Sequence, residues 1–165
     1  MTETPTTSSL PALGRRGGGW VGLQFLLIGG LVAAGVRGRG DVTDELLLIA
    51  VTLGTILIAI GTVVMFKGIR GLRESVTPMP KPLEGASLIV DGIYAYVRHP
   101  IYLGLMLVAF GYSVAMDSLA ALIMAIIFTL FLDLKSRREE AWLRQKYPEY
   151  SVYAAHTRKF VPYVY

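Results

Sequence analysis

Four runs of apolar residues without a single Asp, Glu, Lys or Arg dominate the chain: residues 20–36, 46–66, 101–116 and 118–132. A bilayer core of about 30 Å asks for about 20 helical residues. The second run, with 21 residues, meets that length, and the first, with 17, comes close. The third and fourth, with 16 and 15 residues, are short and separated only by Asp117. They predict an antiparallel helical hairpin over 100–134 that crosses a locally thinned bilayer, with a partly re-entrant pair as the alternative. The pattern thus predicts an all-α integral membrane protein with about four transmembrane helices. Residues 20–66 supply the first two. Residues 67–165 form a second unit, made of a long connection, the hairpin and a polar C-terminal segment. The tail over 1–19, rich in Thr, Ser and Pro at its start, predicts disorder.

The connection between the second and third runs is not a random linker. Thr77-Pro78-Met79-Pro80-Lys81-Pro82 must be extended, because each proline fixes its own φ and pushes its predecessor away from helix. Residues 88–90 predict a short extended piece, and Asp91-Gly92 a turn. Gly54 and Gly61, like Gly104 and Gly111, lie seven residues apart on one helix face, a spacing that suits close helix packing in lipid.

Composition supports a membrane protein. Hydrophobic residues make up 53% of 165 and charged residues 17%. The mean hydropathy of +0.53 exceeds what a soluble core of this size hides. Cysteine is absent, which removes disulfides, thiolate nucleophiles and Cys-ligated metals. With two histidines, His99 and His156, no metal site is expected. The net charge of +4 does not point to nucleic acid, because the basic residues border apolar runs; anionic membrane lipids are the expected partner.

Those basic residues also orient the chain. Of 16 Lys and Arg, only Arg37 and Arg39 lie between the first two runs, and none lies in the 116–118 turn. The other 14 fall in the tail, the 67–98 connection and the segment from Lys135. Positive residues stay cytoplasmic, so both termini and the long connection are expected there. A signal peptide is the competing reading of Arg15, Arg16 and the first run, which ends near Ala33 and Ala34. Gly17, Gly18, Gly19 and Gln24 make a poor hydrophobic region for one.

Two polar clusters sit at membrane boundaries. The first is Arg98-His99-Pro100-Ile101-Tyr102-Leu103-Gly104, where Pro100 suits the first position of a helix and Gly104 permits a ligand or a backbone to approach. The second is Lys135-Ser136-Arg137-Arg138-Glu139-Glu140, and the hairpin should return it to the first. Plainer readings exist for each residue. Arg98 and His99 could be interfacial caps. Glu139 and Glu140 could pair with Lys135 and Arg144 four residues away, and only one of two adjacent residues need face a ligand. Asp133 could snorkel to the interface. Trp142, Tyr147, Tyr150, Tyr153, Phe160, Tyr163 and Tyr165 fit an interfacial aromatic belt. Gly35-x-x-Gly38-x-Gly40 follows a membrane run and not a strand, so it is no dinucleotide loop.

The arrangement Arg-His-Pro-x-Tyr-x-Gly followed by Glu-Glu one hairpin later resembles the cofactor signature of integral-membrane methyltransferases. These are the isoprenylcysteine carboxyl methyltransferases, with the phospholipid N-methyltransferases as relatives. The resemblance extends through Thr77-Pro78-Met79-Pro80, Leu88-Ile89-Val90-Asp91-Gly92-Ile93-Tyr94, Tyr147, Tyr150 and Arg158-Lys159-Phe160-Val161-Pro162, about half the chain. Ile93 replaces a common proline, and Tyr147-Pro148 a common aromatic–glycine pair. The resemblance implies S-adenosylmethionine at the cytoplasmic boundary and a lipophilic acceptor, prenylcysteine-like or lipid, entering from the bilayer. It implies cofactor binding by His99, Pro100, Tyr102, Gly104, Glu139 and Glu140, with Arg98 and Glu140 as catalytic residues. In this reading the Arg98 guanidinium holds a carboxylate of donor or acceptor as a bidentate fork. A membrane reductase using NADPH and a non-catalytic four-span protein are the other function classes the residues leave open.

Overall fold

The computed structural model describes residues 10–38, 40, 44–72 and 77–161. The expected disorder at the start of the tail, Arg39, and the motif and belt residues Pro162, Tyr163 and Tyr165 lie wholly or largely outside them. Among the described residues all regular structure is helical: α1 (Gly18–Arg37), α2 (Asp44–Leu72), α3 (Pro100–Ala115), α4 (Leu119–Lys146) and α5 (Tyr150–His156). A 3-10 turn, Gly92–Ala95, precedes α3. Three helices, α1, α2 and α4, are long and apolar enough to cross a membrane. The protein is an all-α integral membrane protein.

Helix α3 is the exception to the expected spans. Its 16 residues rise about 24 Å, short of a 30 Å core. Its partner α4 runs 28 residues, because the helix continues past Leu132 through the whole charged cluster to Lys146. The hairpin therefore has unequal arms. Its turn is as tight as the 116–118 spacing implies: Asp117 takes a positive φ of 47° and Ser118 caps α4 by accepting from the Ala121 amide at 3.2 Å. At the other end, Pro100 occupies the first turn of α3, where its missing N–H costs no helical bond.

Glycines set the packing of α2 on α3. Gly54, Gly61 and Gly68 are the buried residues of α2. They face Gly111, Gly104 and the Pro100–Ile101 step in turn, so the helices run antiparallel. A Cβ at Gly104 would stand 2.5 Å from the Gly61 carbonyl oxygen and 2.7 Å from Met65 Cβ. Such contact lets backbones touch where lipid offers no hydrophobic drive. Helix α1 docks on α4 through Trp20, Leu31, Ala121, Ala125, Phe128 and Phe131. Neighbours in sequence, α1 and α2 thus dock on different helices. Their outer faces carry exposed apolar residues such as Leu26, Val36, Leu48 and Phe66, the surface expected of lipid-facing helices.

The C-terminal segment closes the polar end. After α5 it runs beside the approach to α3, with Val97 and Arg158 in a parallel bridge. The Arg98 amide donates to the Arg158 carbonyl at 2.8 Å, and the His99 amide to the Lys159 carbonyl at 3.1 Å. Lys159 also pairs with Asp133, and Arg137 holds the same carboxylate at 2.7 Å. Asp133 is therefore an anchor for the closing segment and does not simply snorkel.

Candidate active site

The hairpin brings the two polar clusters together. Tyr102, in the first turn of α3, donates to Glu139 at 2.8 Å. The His99 ring lies parallel to the Tyr102 ring, with centroids 5.4 Å apart. Its Nε2 is 3.1 Å from Glu140 Oε1, and its Nδ1 is 3.9 Å from Glu139 Oε2. Arg98 Nε donates to Glu140 at 2.9 Å, and Arg144 reaches the other oxygen of Glu140 at 3.1 Å.

Two cavities flank this group and share a wall of Leu72, Thr77, Tyr94, Arg98, His99 and Glu139. The smaller, about 100 Å³, lies under the 77–89 connection and is lined by Tyr147, Tyr150 and Tyr153. The connection is held over it by Lys146, which donates to the Leu83 carbonyl, and by Tyr147, which donates to the Ala86 carbonyl at 2.5 Å. The larger, about 320 Å³, extends among α1, α2, α3 and α4 and is lined by Met65, Ile69, Ile101, Leu105, Gln24 and Lys135. It reaches the low end of the usual range for ligand pockets.

The adjacent glutamates divide their work, as their 100° separation on a helix allows. Glu139 lines both cavities, whereas Glu140 lines neither and is only 5% exposed. Arg98 is also more committed than a free fork. Its Nε serves Glu140, and its Nη1 donates to the carbonyls of Ala154 and Thr157. Only Nη2 remains for a ligand, so bidentate capture of a carboxylate would break bonds that hold the C-terminal segment. Gly104 takes the second of its two expected uses: it meets the backbone of α2, and neither cavity is lined by it. Pro100 lines the larger cavity.

Tyr150 and Tyr153, expected in an aromatic belt, face the site instead, as does Tyr94. Burial raises the hydroxyl pKa of Tyr94 and Tyr150 far above the ordinary phenol value and pushes that of Tyr153 up to about 12. Tyr94 donates to the Gly68 carbonyl at 3.1 Å, and Tyr153 to the Tyr94 carbonyl at 2.7 Å. Among the described residues the buried Tyr150 hydroxyl has no hydrogen-bond partner. Lys135 does not lie against Glu139, its neighbour one turn on: it donates to Gln24 at 2.5 Å, across from α4 to α1. Gln24, a lone polar residue in an apolar run, was the available signal for that contact. Nothing in local spacing pairs it with Lys135, 111 residues away. Among the described residues, no group of three or more His, Asp or Glu is placed to hold a metal ion.

Fold and site together define a membrane-embedded helical protein with a two-chambered polar site at one end of its hairpin. The model of the phospholipid methyltransferase family (PEMT) matches residues 49–150, and the chain belongs to that family. It is also similar to a cobalt-zinc-cadmium resistance protein, CzcN, of Cupriavidus metallidurans, with 27% identity over 98% of this chain and 75% of that protein. A protein-S-isoprenylcysteine O-methyltransferase of Schizosaccharomyces pombe is 37% identical over 57 residues, 34% of this chain. The matched part is 24% of that enzyme's length. The match to a membrane methyltransferase family covers most of α2, all of α3 and α4, and both polar clusters.

Proposed function

We propose that the protein transfers a methyl group from S-adenosylmethionine to a lipophilic acceptor at the membrane boundary. The observation that carries this reading is the shared wall. A chamber under the 77–89 connection and a chamber between the membrane helices meet at Arg98, His99 and Glu139. A water-soluble donor and a bilayer-borne acceptor need such adjoining compartments.

The residues suit the donor. The Tyr150 hydroxyl, buried without a partner against the smaller chamber, gains one when a polar ligand binds there. Glu139, on the wall, accepts hydrogen bonds from an amino group or ribose hydroxyls. When bound, the donor supplies an electrophilic methyl group, whose carbon–sulfur electron pair stays on sulfur as the acceptor takes the carbon. The chain's part is alignment and exclusion of water, which supply most of the rate in such a displacement. His99 is fixed by Glu140 and by its stack on Tyr102, and Tyr102 in turn fixes Glu139. The 77–89 connection, tied down by Lys146 and Tyr147, lies over the smaller chamber and narrows its access to water. The distribution of Lys and Arg supports a cytoplasmic side for the site and both termini.

Thermal unfolding of the detergent-solubilised protein tests the donor. A ligand that binds only the folded state raises the melting temperature. S-adenosylmethionine should do so and NADPH should not. Tyr150→Phe should melt no lower than the parent, since it removes an unsatisfied hydroxyl, yet respond less to S-adenosylmethionine. No response of the parent to millimolar S-adenosylmethionine would sink the reading. For orientation, single cysteines at Asp117 and Ser87 suffice in this cysteine-free chain. Membrane-impermeant reagent should label the former on intact cells and spare the latter; the reverse pattern would invert the topology.

A further inference from the structure

We propose that the outer face of the α1–α4 pair holds the head group of an anionic phospholipid between Arg138 and Arg16, and that this lipid is a resident ligand and not the methyl acceptor. The site is separate from methyl transfer, since Arg138 and Arg16 line neither chamber. Ile123, Ile127, Leu130 and Leu134 recur every three or four residues along α4 and are between 42% and 62% exposed. They form one face of the helix, turned away from the packed interior toward lipid. Arg138 is the next position in that row, four residues past Leu134. Four residues rise about 6 Å, which carries Arg138 from the end of the apolar row into the head-group layer, about 5–7 Å deep on each side of the hydrocarbon. Lipid phosphates lie in that layer.

Arg138 rests on an aromatic ring and not on an anion. Its guanidinium carbon lies 4.2 Å from the centre of the Trp142 ring, and its Nε is buried without a hydrogen-bond partner among the described residues. The carboxylates nearest to it in sequence are engaged elsewhere: Asp133 with Lys159 and Arg137, Glu139 with Tyr102, and Glu140 with Arg98, His99 and Arg144. A guanidinium steadied on a ring is suited to take a phosphate as a fork. The second cation comes from the other helix. The turn before α1 packs on the same tryptophan: a Cβ at Gly17 would stand 3.2 Å from Trp142 Cη2 and 2.9 Å from Pro80 Cδ. Arg16, the residue before Gly17, is exposed there, as is Arg15. Residues 10–38 contain no Asp or Glu, so neither α1 nor its approach supplies a counter-charge. Glu84 lies in a recess on the Trp142 flank, together with Lys81 and Lys146, and the cations outnumber it. Basic sites between membrane helices take anionic head groups, and here the apolar chains of the lipid run along the α4 row.

The test uses the full chain, stripped of lipid in an uncharged detergent, with dioleoyl phosphatidylglycerol, dioleoyl phosphatidylcholine and glycerol phosphate as probes. Thermal midpoints are titrated against each for the parent, Arg138→Gln, Arg138→Lys, Arg16→Gln and Arg37→Gln. Arg37 ends α1 at its far end, so its variant makes the same change of charge away from the site. Phosphatidylglycerol should stabilise the parent more than phosphatidylcholine does, and glycerol phosphate should not stabilise it. Arg138→Gln should lose that preference, with apparent affinity for phosphatidylglycerol down about tenfold or more, as expected for a charge-assisted hydrogen bond. Arg138→Lys should keep part of the preference, Arg16→Gln should weaken it and Arg37→Gln should leave it intact. Equal shifts from the two lipids in the parent, absent binding included, would overturn the assignment. So would a preference undiminished in Arg138→Gln, or one lost equally in Arg37→Gln. A response to glycerol phosphate as large as that to the lipid would also overturn it, because the site would then be one for free phosphate. Should Arg138→Gln give no cooperative melt, Arg16→Gln decides, since it alters an exposed residue; an undiminished preference there would overturn the lipid site. Any response of the parent to S-adenosylmethionine should be unchanged in Arg138→Gln, so this site and methyl transfer stand or fall separately.

Discussion

Replacing Glu140 by alanine removes one carboxylate that three cationic or ionisable side chains share. Arg98 Nε is 2.9 Å from it, His99 Nε2 3.1 Å and Arg144 Nη2 3.1 Å. The Arg98 and His99 side chains are only 13% and 5% exposed, so solvent cannot replace the lost anion. Breaking a buried pair by deleting one partner costs about 3–5 kcal/mol, because a charge is left uncompensated. The Arg144 contact adds little, since that side chain is 45% exposed. For a domain of this size about 1 kcal/mol shifts the midpoint by roughly 2–4 °C, so Glu140→Ala should melt roughly 6–20 °C below the parent. Glu139→Gln is the matched control. Its amide oxygen can still accept from Tyr102, and the Glu139 side chain is 27% exposed, so stability should change by less than about 1 kcal/mol. Its response to S-adenosylmethionine should nevertheless fall. Both variants are read by thermal unfolding in one detergent, with and without the donor. A Glu140→Ala protein melting within about 2 °C of the parent would refute the anchoring role, at that scale of shift. So would a Glu139→Gln protein that is destabilised as much as Glu140→Ala.

Two further outcomes follow from packing and burial. Gly104→Ala would place a Cβ 2.5 Å from the Gly61 carbonyl and 2.8 Å from the Met65 amide nitrogen, so α2 and α3 must separate. A cost of about 1–3 kcal/mol is expected, against no loss for Gly22→Ala, whose Cβ would meet nothing within 4 Å; equal melts for the two would contradict the glycine seam. The raised pKa values of Tyr94, Tyr150 and Tyr153 make the folded state hold phenol protons that the unfolded chain releases above about pH 10. Their stabilisation is therefore present below pH 10.0, the ordinary phenol value, and lost as pH rises, for Tyr153 through about 12. Melts between pH 9 and 12, followed by phenolate absorbance, should show midpoints falling as ionised tyrosine appears, and Tyr153→Phe should soften the fall; a flat profile would contradict the burial of these hydroxyls.

Apolar run length is a local property, and it was enough to determine an all-helical membrane protein and the extents of α1 and α2 to within a few residues at most boundaries. The proline at the start of α3 and the 116–118 turn were legible for the same reason, because backbone geometry there depends on residues next to one another. The meeting of Arg98 and His99 with Glu139 and Glu140 was also within reach, since a tight turn leaves an antiparallel hairpin little freedom. What each residue does after that meeting was decided by packing. The division between Glu139 and Glu140 depends on the rotation of α4, which its contacts with α1 and α3 set. Gly104 could serve a ligand or a helix, and only the register of α2 against α3 assigns it to Gly61. Local hydropathy places Tyr150 and Tyr153 at an interface, but α5 folds back under the 77–89 connection and turns them inward. Lys135 and Gln24 are brought together by the docking of α1 on α4. That contact joins residues far apart in the chain, and a one-dimensional pattern carries no record of which helix will lie beside which.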